Sequence, residues 1–299
     1  MKRNNRYFIP VFCFFIINLI VSCTAPIDIQ TRNSEPVVII YGCLTNEFKR
    51  QYIRITRSSP YFYEGSNQAI TDAEVKLTSS NGREYRFVSD TNGYYFSQRR
   101  FAASPGVTYR LSVEIDDNKD GEIELYEAET TINPAVPVDS IAVNTISIMG
   151  FSHHSLVFYM QEPAETENYY LFKFIINDSI SNERISDYLV SNDQIYNGEY
   201  IPGANITFFE DATDPNVIER NQDNESVYMV KPGDRIRLQL MNIEKGYYHF
   251  INECISEKYG ENPFFGGPPS NICTNLSNGA IGYFSSYCIY EKETVVPGE

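Results

Sequence analysis

The chain has 299 residues and a formal net charge of −15 at pH 7, from 24 Lys and Arg against 39 Asp and Glu. This acidic balance argues against a nucleic-acid-binding protein, which needs a clustered basic face, and against electrostatic docking on anionic lipid. The sequence contains 23 Tyr and 19 Phe but no Trp. Segments rich in Tyr and β-branched residues favour strands over helices.

The N-terminus has the features of a bacterial secretory signal. Three cations lie within the first six residues and are followed by an apolar run from Tyr7 to Val21. This run is shorter than a typical membrane-spanning helix. It ends in Ile-Val-Ser directly before Cys23, which resembles a lipoprotein signal with Cys23 as the first, acylated residue of the mature protein. The alternative is an ordinary signal peptide with an incidental cysteine.

Composition, proline positions and changes in the regularity of the pattern predict that the chain has four parts. They are a signal peptide at 1–22, a polar tether at 23–35, a β-sandwich domain at 36–133 and a second β domain at 134–299. Residues 1–22 carry three cations and no acid, so their removal changes the formal net charge from −15 to −18. Pro134 and Pro137 mark the predicted boundary between the two β domains.

Short apolar or alternating segments predict a series of strands in the first β domain. They lie at 37–41, 51–56, 73–78, 84–88, 94–97, 107–115 and 125–132. Asn81-Gly82 and Asn92-Gly93 lie between them and are typical of hairpin turns. Turn signals at intervals of about 8–12 residues predict a β-sandwich of the immunoglobulin-like class.

The second β domain is predicted to hold strands and one helix. The strands lie at 140–148, 155–161, 169–177, 235–240 and near 282–295, and the polar segment 178–227 is predicted to be irregular. The helix is indicated by apolar residues at i, i+3, i+4, i+7, i+8 and i+12, which form one face at a period of 3.6. These residues are Tyr247, Phe250, Ile251, Cys254, Ile255 and Tyr259, and Gly260 is the predicted stop.

The ordered segments carry a family resemblance. They include Ile53-Arg54-Ile55-Thr56-Arg57-Ser58, Thr91-Asn92-Gly93-Tyr94-Tyr95, Gly106-Val107-Thr108-Tyr109-Arg110-Leu111, Pro137-Val138-Asp139-Ser140-Ile141, Lys231-Pro232-Gly233-Asp234 and Asn278-Gly279-Ala280-Ile281-Gly282-Tyr283-Phe284. This order resembles the DUF4249 family of Bacteroidota lipoproteins. The resemblance implies an N-terminal sandwich similar to carboxypeptidase regulatory-like or transthyretin-like modules. It also implies an accessory role beside TonB-dependent outer-membrane receptors, and it offers no catalytic residues.

One acidic loop fits two interpretations. Residues 116–127 place Asp116, Asn118, Asp120, Glu122 and Glu127 at positions 1, 3, 5, 7 and 12 of an EF-hand-like spacing, with Gly at position 6. Calcium prefers such hard oxygen ligands, so the loop is a candidate calcium site. The flanking segments alternate as strands, however, and an acidic hairpin turn with Asp-Gly at its tip is the alternative.

Four cysteines remain in the two β domains: Cys43, Cys254, Cys273 and Cys288. An envelope location permits disulfides, but four cysteines allow three pairings. Cys254 on the helix and Cys273 in the following loop need the least chain rearrangement, so this pair is the predicted disulfide. Bridges from Cys254 to Cys43 or Cys288 stay open.

Aromatic residues in loops offer candidate binding surfaces, because large rings stack on sugars or anchor in a partner's pocket. They are Tyr61, Phe62, Tyr63, Phe264 and Phe265. The alternative is that these rings cover the ends of the sandwich.

The sequence shows no catalytic constellation, and it predicts binding rather than catalysis. The expected protein is an outer-membrane lipoprotein, facing the periplasm or the cell surface. It would be an accessory binding subunit for a TonB-dependent nutrient-uptake receptor, with a small-molecule or glycan ligand left open. No cofactor is expected apart from the calcium alternative, and no nucleic acid. The alternatives are an envelope hydrolase acting on glycans, which a cleft with paired carboxylates would favour, and a structural surface lipoprotein.

Overall fold

Strands form most of the structure, as the alternating and apolar segments predict. The computed structural model describes residues 36–59, 67–116, 119–148, 150–221, 227–260 and 272–298. In chain order the strands are β1 (Val38–Thr45), β2 (Tyr52–Arg57), β3 (Gln68–Ala69), β4 (Glu74–Ser79), β5 (Glu84–Ser89), β6 (Tyr94–Ser97), β7 (Thr108–Ile115), β8 (Glu124–Thr131), β9 (Ser140–Ile148), β10 (Phe151–Gln161), β11 (Tyr169–Ile176), β12 (Ser179–Ile180), β13 (Leu189–Asn192), β14 (Tyr200–Asp211), β15 (Met229–Val230), β16 (Arg235–Ile243) and β17 (Ile281–Val295). The helices are α1 (Pro215–Asn221) and α2 (Lys245–Gly260), and a 3-10 turn lies at Ile185–Asp187.

The described strands form two sheets. The larger sheet has the order β12-β11-β16-β17-β1-β2-β6-β5-β4-β7-β8, with β13 beside β11 and β3 beside β2. The smaller sheet has the order β15-β14-β10-β9. Most neighbouring strands are antiparallel, which suits the hairpin turns that the sequence carries between them.

The last strand belongs to both halves of the larger sheet. Its first part, from Ile281 to Tyr287, pairs in parallel with β1. Its second part, from Cys288 to Val295, pairs antiparallel with β16. Strand β17 therefore ties the N-terminal strands to the C-terminal strands through backbone hydrogen bonds. The division into domains at residues 133 and 134 stays a prediction.

Three groups of buried apolar side chains hold these layers together. The first lies inside the N-terminal sandwich and takes residues from β1, β2, β4, β7 and β8, such as Ile40, Ile55 and Leu111. The second lies between the smaller sheet and the C-terminal strands. The third lies under α2, where Tyr247, Phe250 and Ile251 pack against the larger sheet. The predicted fold class, mostly β with an N-terminal sandwich and one amphipathic helix, is confirmed.

The prediction that residues 178–227 are irregular is wrong. This segment contains β12, β13, α1 and the twelve-residue strand β14. Pro202 and Gly203 lie inside β14 and make its sequence look like a loop. Both are tolerated because β15 reaches β14 only at Glu210 and Asp211, so β14 is an edge strand around the proline.

A β-bulge explains the glycine in that strand. Phe158 of β10 pairs with Ala204 and Tyr159 pairs with Pro202, which leaves Gly203 as the extra residue. Its φ of +97° is one that residues with a Cβ rarely adopt. The bulge therefore requires the glycine that obscured the strand in the sequence.

Candidate ligand-binding cavities

Several residues singled out by the sequence lie outside the described part of the chain. They are Cys23, Tyr61, Phe62, Tyr63, Asn118, Phe264 and Phe265. Their predicted roles in lipidation, ligand binding and calcium coordination stay predictions. Within the described residues, no helix is both long and apolar enough to cross a membrane.

The candidate calcium loop connects β7 to β8. The amide of Gly121 donates to the carboxylate of Asp116 at 3.3 and 3.4 Å, and the amide of Glu122 donates to Asp120 at 2.9 Å. Glu127 lies on β8, beyond the loop. No group of three or more His, Cys, Asp or Glu that could hold a metal ion is found in the described ranges, which exclude two residues of this loop. Calcium binding here stays a prediction.

Cys254 and Cys273 are free thiols in the structure and both contact the third core group. Burial raises the pKa of each thiol to about 11, and the nearby carboxylate of Glu253 adds to the effect. Both thiols therefore remain protonated at neutral pH, which makes them poor nucleophiles. The predicted disulfide between them stays a prediction.

The structure brings together side chains that the sequence analysis did not single out. A cavity of about 570 Å³ opens where the larger sheet passes from β2 and β1 to β17, β16 and β11. We call it the lysine cavity. Its lining includes Cys43, Tyr52, Lys173, Tyr188, Met241 and Tyr287.

Lys173 is the cation that distinguishes this cavity. It lies on β11, a strand whose other side chains are almost all buried. Its ammonium donates a hydrogen bond of 2.8 Å to the Tyr188 hydroxyl and lies 4.2 Å from the centre of that ring. Burial lowers the pKa of Lys173, because removing the ammonium from water disfavours its charged form.

A cluster of hydroxyl and thiol groups lies beneath the lysine cavity. The Tyr41 and Tyr247 hydroxyl oxygens are 2.6 Å apart, and the Cys43 sulfur lies 3.1 Å from the Ser285 hydroxyl. Burial raises the pKa of Tyr41, Tyr247 and Tyr287 well above the usual value of a tyrosine. These tyrosines are therefore uncharged at neutral pH and supply no negative charge to Lys173.

A second cavity, of about 540 Å³, lies on the other side of Tyr188, which lines both. We call it the amide-rimmed cavity. Aromatic and aliphatic side chains from β10, β11 and β14 form its walls, among them Phe158, Phe172 and Ile201. Asn192 and Asn252 add amide groups to its lining. Apolar walls with a few polar groups are typical of small-molecule sites.

Two buried carboxylates also line the amide-rimmed cavity. Glu162 is 1% exposed and accepts hydrogen bonds from the Tyr170 hydroxyl at 2.6 Å and the Asn168 amide group at 3.0 Å. Its other oxygen accepts from the Gly198 backbone at 3.3 Å. Asp193 is 3% exposed and accepts from the Asn168 backbone at 2.7 Å. Protein donors thus hold both carboxylates in place.

Sequence reasoning missed these residues for identifiable reasons. Lys173 interrupts the apolar run Tyr-Tyr-Leu-Phe-Lys-Phe-Ile-Ile, and a single charge in a buried strand was the available signal. Glu162 and Asp193 are 31 positions apart, and both lie in segments with many acids. The pairing of β11 with β13 places Asp193 beside Asn168, which also donates a hydrogen bond to Glu162.

Comparison with known proteins supports the resemblance found in the sequence. A family model described as "Domain of unknown function (DUF4249)" matches residues 24–293. No curated protein matches the chain. Among solved structures, a segment of two fibronectin type-III domains from chicken tenascin is 10% identical, with 69% of this chain and 90% of the tenascin chain covered. Its TM-score is 0.19, so this similarity carries no argument.

Proposed function

The chain belongs to the DUF4249 family, and we propose that it is an outer-membrane lipoprotein of Bacteroidota that binds a ligand for a TonB-dependent receptor. In this proposal Cys23 carries the acyl anchor, since it follows a basic start, a short apolar run and a small residue. Acyl chains hold a protein to a membrane without a spanning helix. The folded strands then present a binding site outside the cytoplasm.

The observation that carries the binding role is the amide-rimmed cavity. Its volume of about 540 Å³ falls within the usual range of small-molecule sites. The amide groups of Asn192 and Asn252 are placed to orient a polar ligand, while Phe158 and Phe172 form an apolar wall. A preformed cavity of this kind supports capture of a small ligand.

A second candidate function, hydrolysis of envelope glycans, has one observation in its favour. Glu162 and Asp193 are two carboxylates that line one cavity, and glycosidases use such pairs. In those enzymes one carboxyl group must give a proton to the leaving group. Here Tyr170, Asn168 and Gly198 donate hydrogen bonds to Glu162, so the protein itself engages both carboxylate oxygens and Glu162 has a structural role. Binding is therefore the better supported function.

Acylation of Cys23 tests the anchor. The Cys23→Ala variant should lose metabolically incorporated palmitate and leave the membrane fraction, or fail to mature. A serine substitution at Cys13, which lies inside the apolar run, serves as the matched control and should keep the label. Label retained by Cys23→Ala would remove the lipoprotein assignment.

Purification from solubilised outer membranes tests the partner. The proposal predicts that a large β-barrel receptor co-purifies with the tagged chain, whereas an unrelated tagged lipoprotein from the same membranes does not enrich it. Absence of any barrel from the purified material would leave the chain as a structural surface lipoprotein.

Glycan breakdown separates the second candidate from the first. Release of reducing sugar from envelope glycans by the full chain, with loss in both Glu162→Gln and Asp193→Asn, would establish the hydrolase. We expect no release by the wild-type protein. Both variants should instead have a lower melting temperature than the wild-type protein, because each substitution weakens the hydrogen bonds around Asn168.

A further inference from the structure

The lysine cavity lies beside the part of the larger sheet that α2 covers. In that part Ile243 and Tyr283 pack under α2, within the third core group. Farther along the same strands Met241 and Tyr287 belong to the same buried group, and they line the cavity together with Lys173. Ile180, Glu183, Arg184 and Tyr188 also line it, so the cavity is a preformed concave site between the sheet and the segment that follows β11.

Charged side chains of both signs line the lysine cavity. Three cationic side chains line it, those of Lys49, Lys173 and Arg184, against two acidic ones, those of Glu47 and Glu183. Glu47 is already engaged, since its carboxylate lies 2.5 Å from the Lys49 ammonium. Arg184 lies close enough to Asp187 to lower the pKa of that carboxyl group, so Lys173 is the cation that remains to meet an anion in the cavity.

Lys173 has unused hydrogen-bonding capacity. An ammonium group has three N–H donors. Within the described ranges its hydrogen-bond partner is the Tyr188 hydroxyl, and no carboxylate lies within ion-pair distance. Glu183 lies close enough to raise the pKa of Lys173 but contributes less than the burial that lowers it. A half-buried ammonium with spare donors is costly unless an anion pairs with it.

We propose that the lysine cavity binds an organic monocarboxylate with a flat apolar body, whose carboxylate pairs with the Lys173 ammonium. The body lies among the rings of Tyr52, Tyr188 and Tyr287 and against Met241, which are the apolar surfaces that line the cavity. Aromatic rings favour stacked or edge contacts with flat groups. This cavity is separate from the amide-rimmed cavity of the proposed function, and binding of the carboxylate here does not require a receptor partner.

The charge balance favours a carboxylate over a phosphate. A phosphate group at neutral pH carries about two negative charges and three strong acceptor oxygens, and it is usually held by several donors. Lys173 offers a single ammonium group. A single carboxylate matches that charge, and the tyrosine rings supply more apolar contact than an inorganic anion can use.

Isothermal titration calorimetry on the full chain in detergent tests the site. The probes are phenylacetate, 2-phenylethanol, which lacks the charge, and inorganic phosphate, which lacks the apolar body. We expect saturable 1:1 binding of phenylacetate, and affinities for the other two probes that are weaker by about tenfold or more. Equal binding of 2-phenylethanol or phosphate, or no binding of phenylacetate at millimolar concentration, would overturn the proposal.

Variants assign the binding to the cavity. Lys173→Met should weaken phenylacetate binding by about tenfold or more, since it removes the charge and keeps the length of the side chain. The matched control is Lys292→Met, because Lys292 also lies over a tyrosine ring, 6.0 Å from the centre of Tyr290, but does not line the cavity. Lys173→Gln serves if the Met variant fails to fold. Wild-type affinity in a folded Lys173 variant would refute the site.

A third variant tests the orientation of the ligand. Glu183→Gln removes a negative charge from the cavity lining and should tighten phenylacetate binding. It should leave the affinity for 2-phenylethanol unchanged. Weaker phenylacetate binding by this variant would contradict the placement of the carboxylate beside Lys173.

Discussion

Lys173 illustrates how one residue relates stability to binding. Its side chain occupies a position on β11 where the neighbouring side chains are apolar and buried. Burial lowers the pKa of its ammonium, so the charged form is less stable in the folded chain than in water. A residue that costs folding energy is expected at sites that serve a ligand.

The first prediction concerns the ligand-free stability of Lys173→Met. This variant should be as stable as the wild-type protein, within about 0.5 kcal/mol, or more stable, because methionine fills similar space without a buried charge. The wild-type protein should gain stability as the pH rises through the lowered pKa of Lys173 towards 10.5, since the unfolded state holds that proton more tightly. The variant should lack this gain. Urea unfolding at several pH values, with Lys292→Met as control, measures both effects.

Glu244 is a second residue whose burial has a measurable consequence. Its carboxylate accepts hydrogen bonds from the Thr130 hydroxyl and, at 2.9 Å, from the Thr131 amide, and so ties the start of α2 to the end of β8. Burial raises its pKa above the usual 4.5, an effect that the two threonine hydrogen bonds oppose. The ionised form therefore costs folding energy at neutral pH.

The second prediction follows from that shift. The stability that Glu244 contributes should be largest below pH 4.5 and should fall as the pH rises through its raised pKa. Relative to Glu244→Gln, the wild-type protein should therefore lose stability as the pH rises from 4.5 through the raised pKa of Glu244. Glu244→Ala should cost about 1–3 kcal/mol, because the Thr131 amide loses its partner. Thermal unfolding from pH 4 to 8 measures all three proteins, and a difference that is independent of pH would contradict the pKa shift.

Strands and turns were largely predictable from local patterns. β6 and β9 have the predicted bounds, and the helix has the predicted apolar face, because one buried side fixes the period of each element. β14 was missed because a bulge needs Gly203, a residue that also marks loops. The lysine cavity was missed because its walls come from strands that are adjacent only in the folded chain.

The third prediction tests the parallel pairing of β1 with β17. Gly282 has a φ of +107°, and a Cβ there would lie 2.2 Å from the Ile40 carbonyl oxygen. Gly282→Ala should therefore destabilise the protein by about 3 kcal/mol or more, through backbone strain and displacement of β1. Gly279→Ala is the control, since Gly279 has a φ of +74° but nothing within 4 Å of its Cβ. It should cost only the strain, about 1 kcal/mol. Equal losses in urea unfolding would argue against the close pairing.

At the scale of the whole molecule, β17 determines how the two regions depend on each other. The sequence predicts a domain boundary near Pro134, from two prolines and a loss of regular pattern. It gives no sign that a strand ending at Val295 pairs with one beginning at Val38, because that register depends on contacts more than 240 positions apart. Each half of β17 completes the sheet of one region.

The fourth prediction is that the two regions unfold together. Without β17, both β1 and β16 would expose an unpaired edge, and β17 can leave one partner only by distorting its pairing with the other. Hydrogen exchange measured by mass spectrometry across a urea series should therefore give coincident midpoints for peptides from β7 and from β11. Gly282→Ala should lower both midpoints by the same amount, although residue 282 pairs with β1 and not with β16. Separate midpoints, with only the β7 peptide affected by the substitution, would instead establish two independent domains that meet near residue 133.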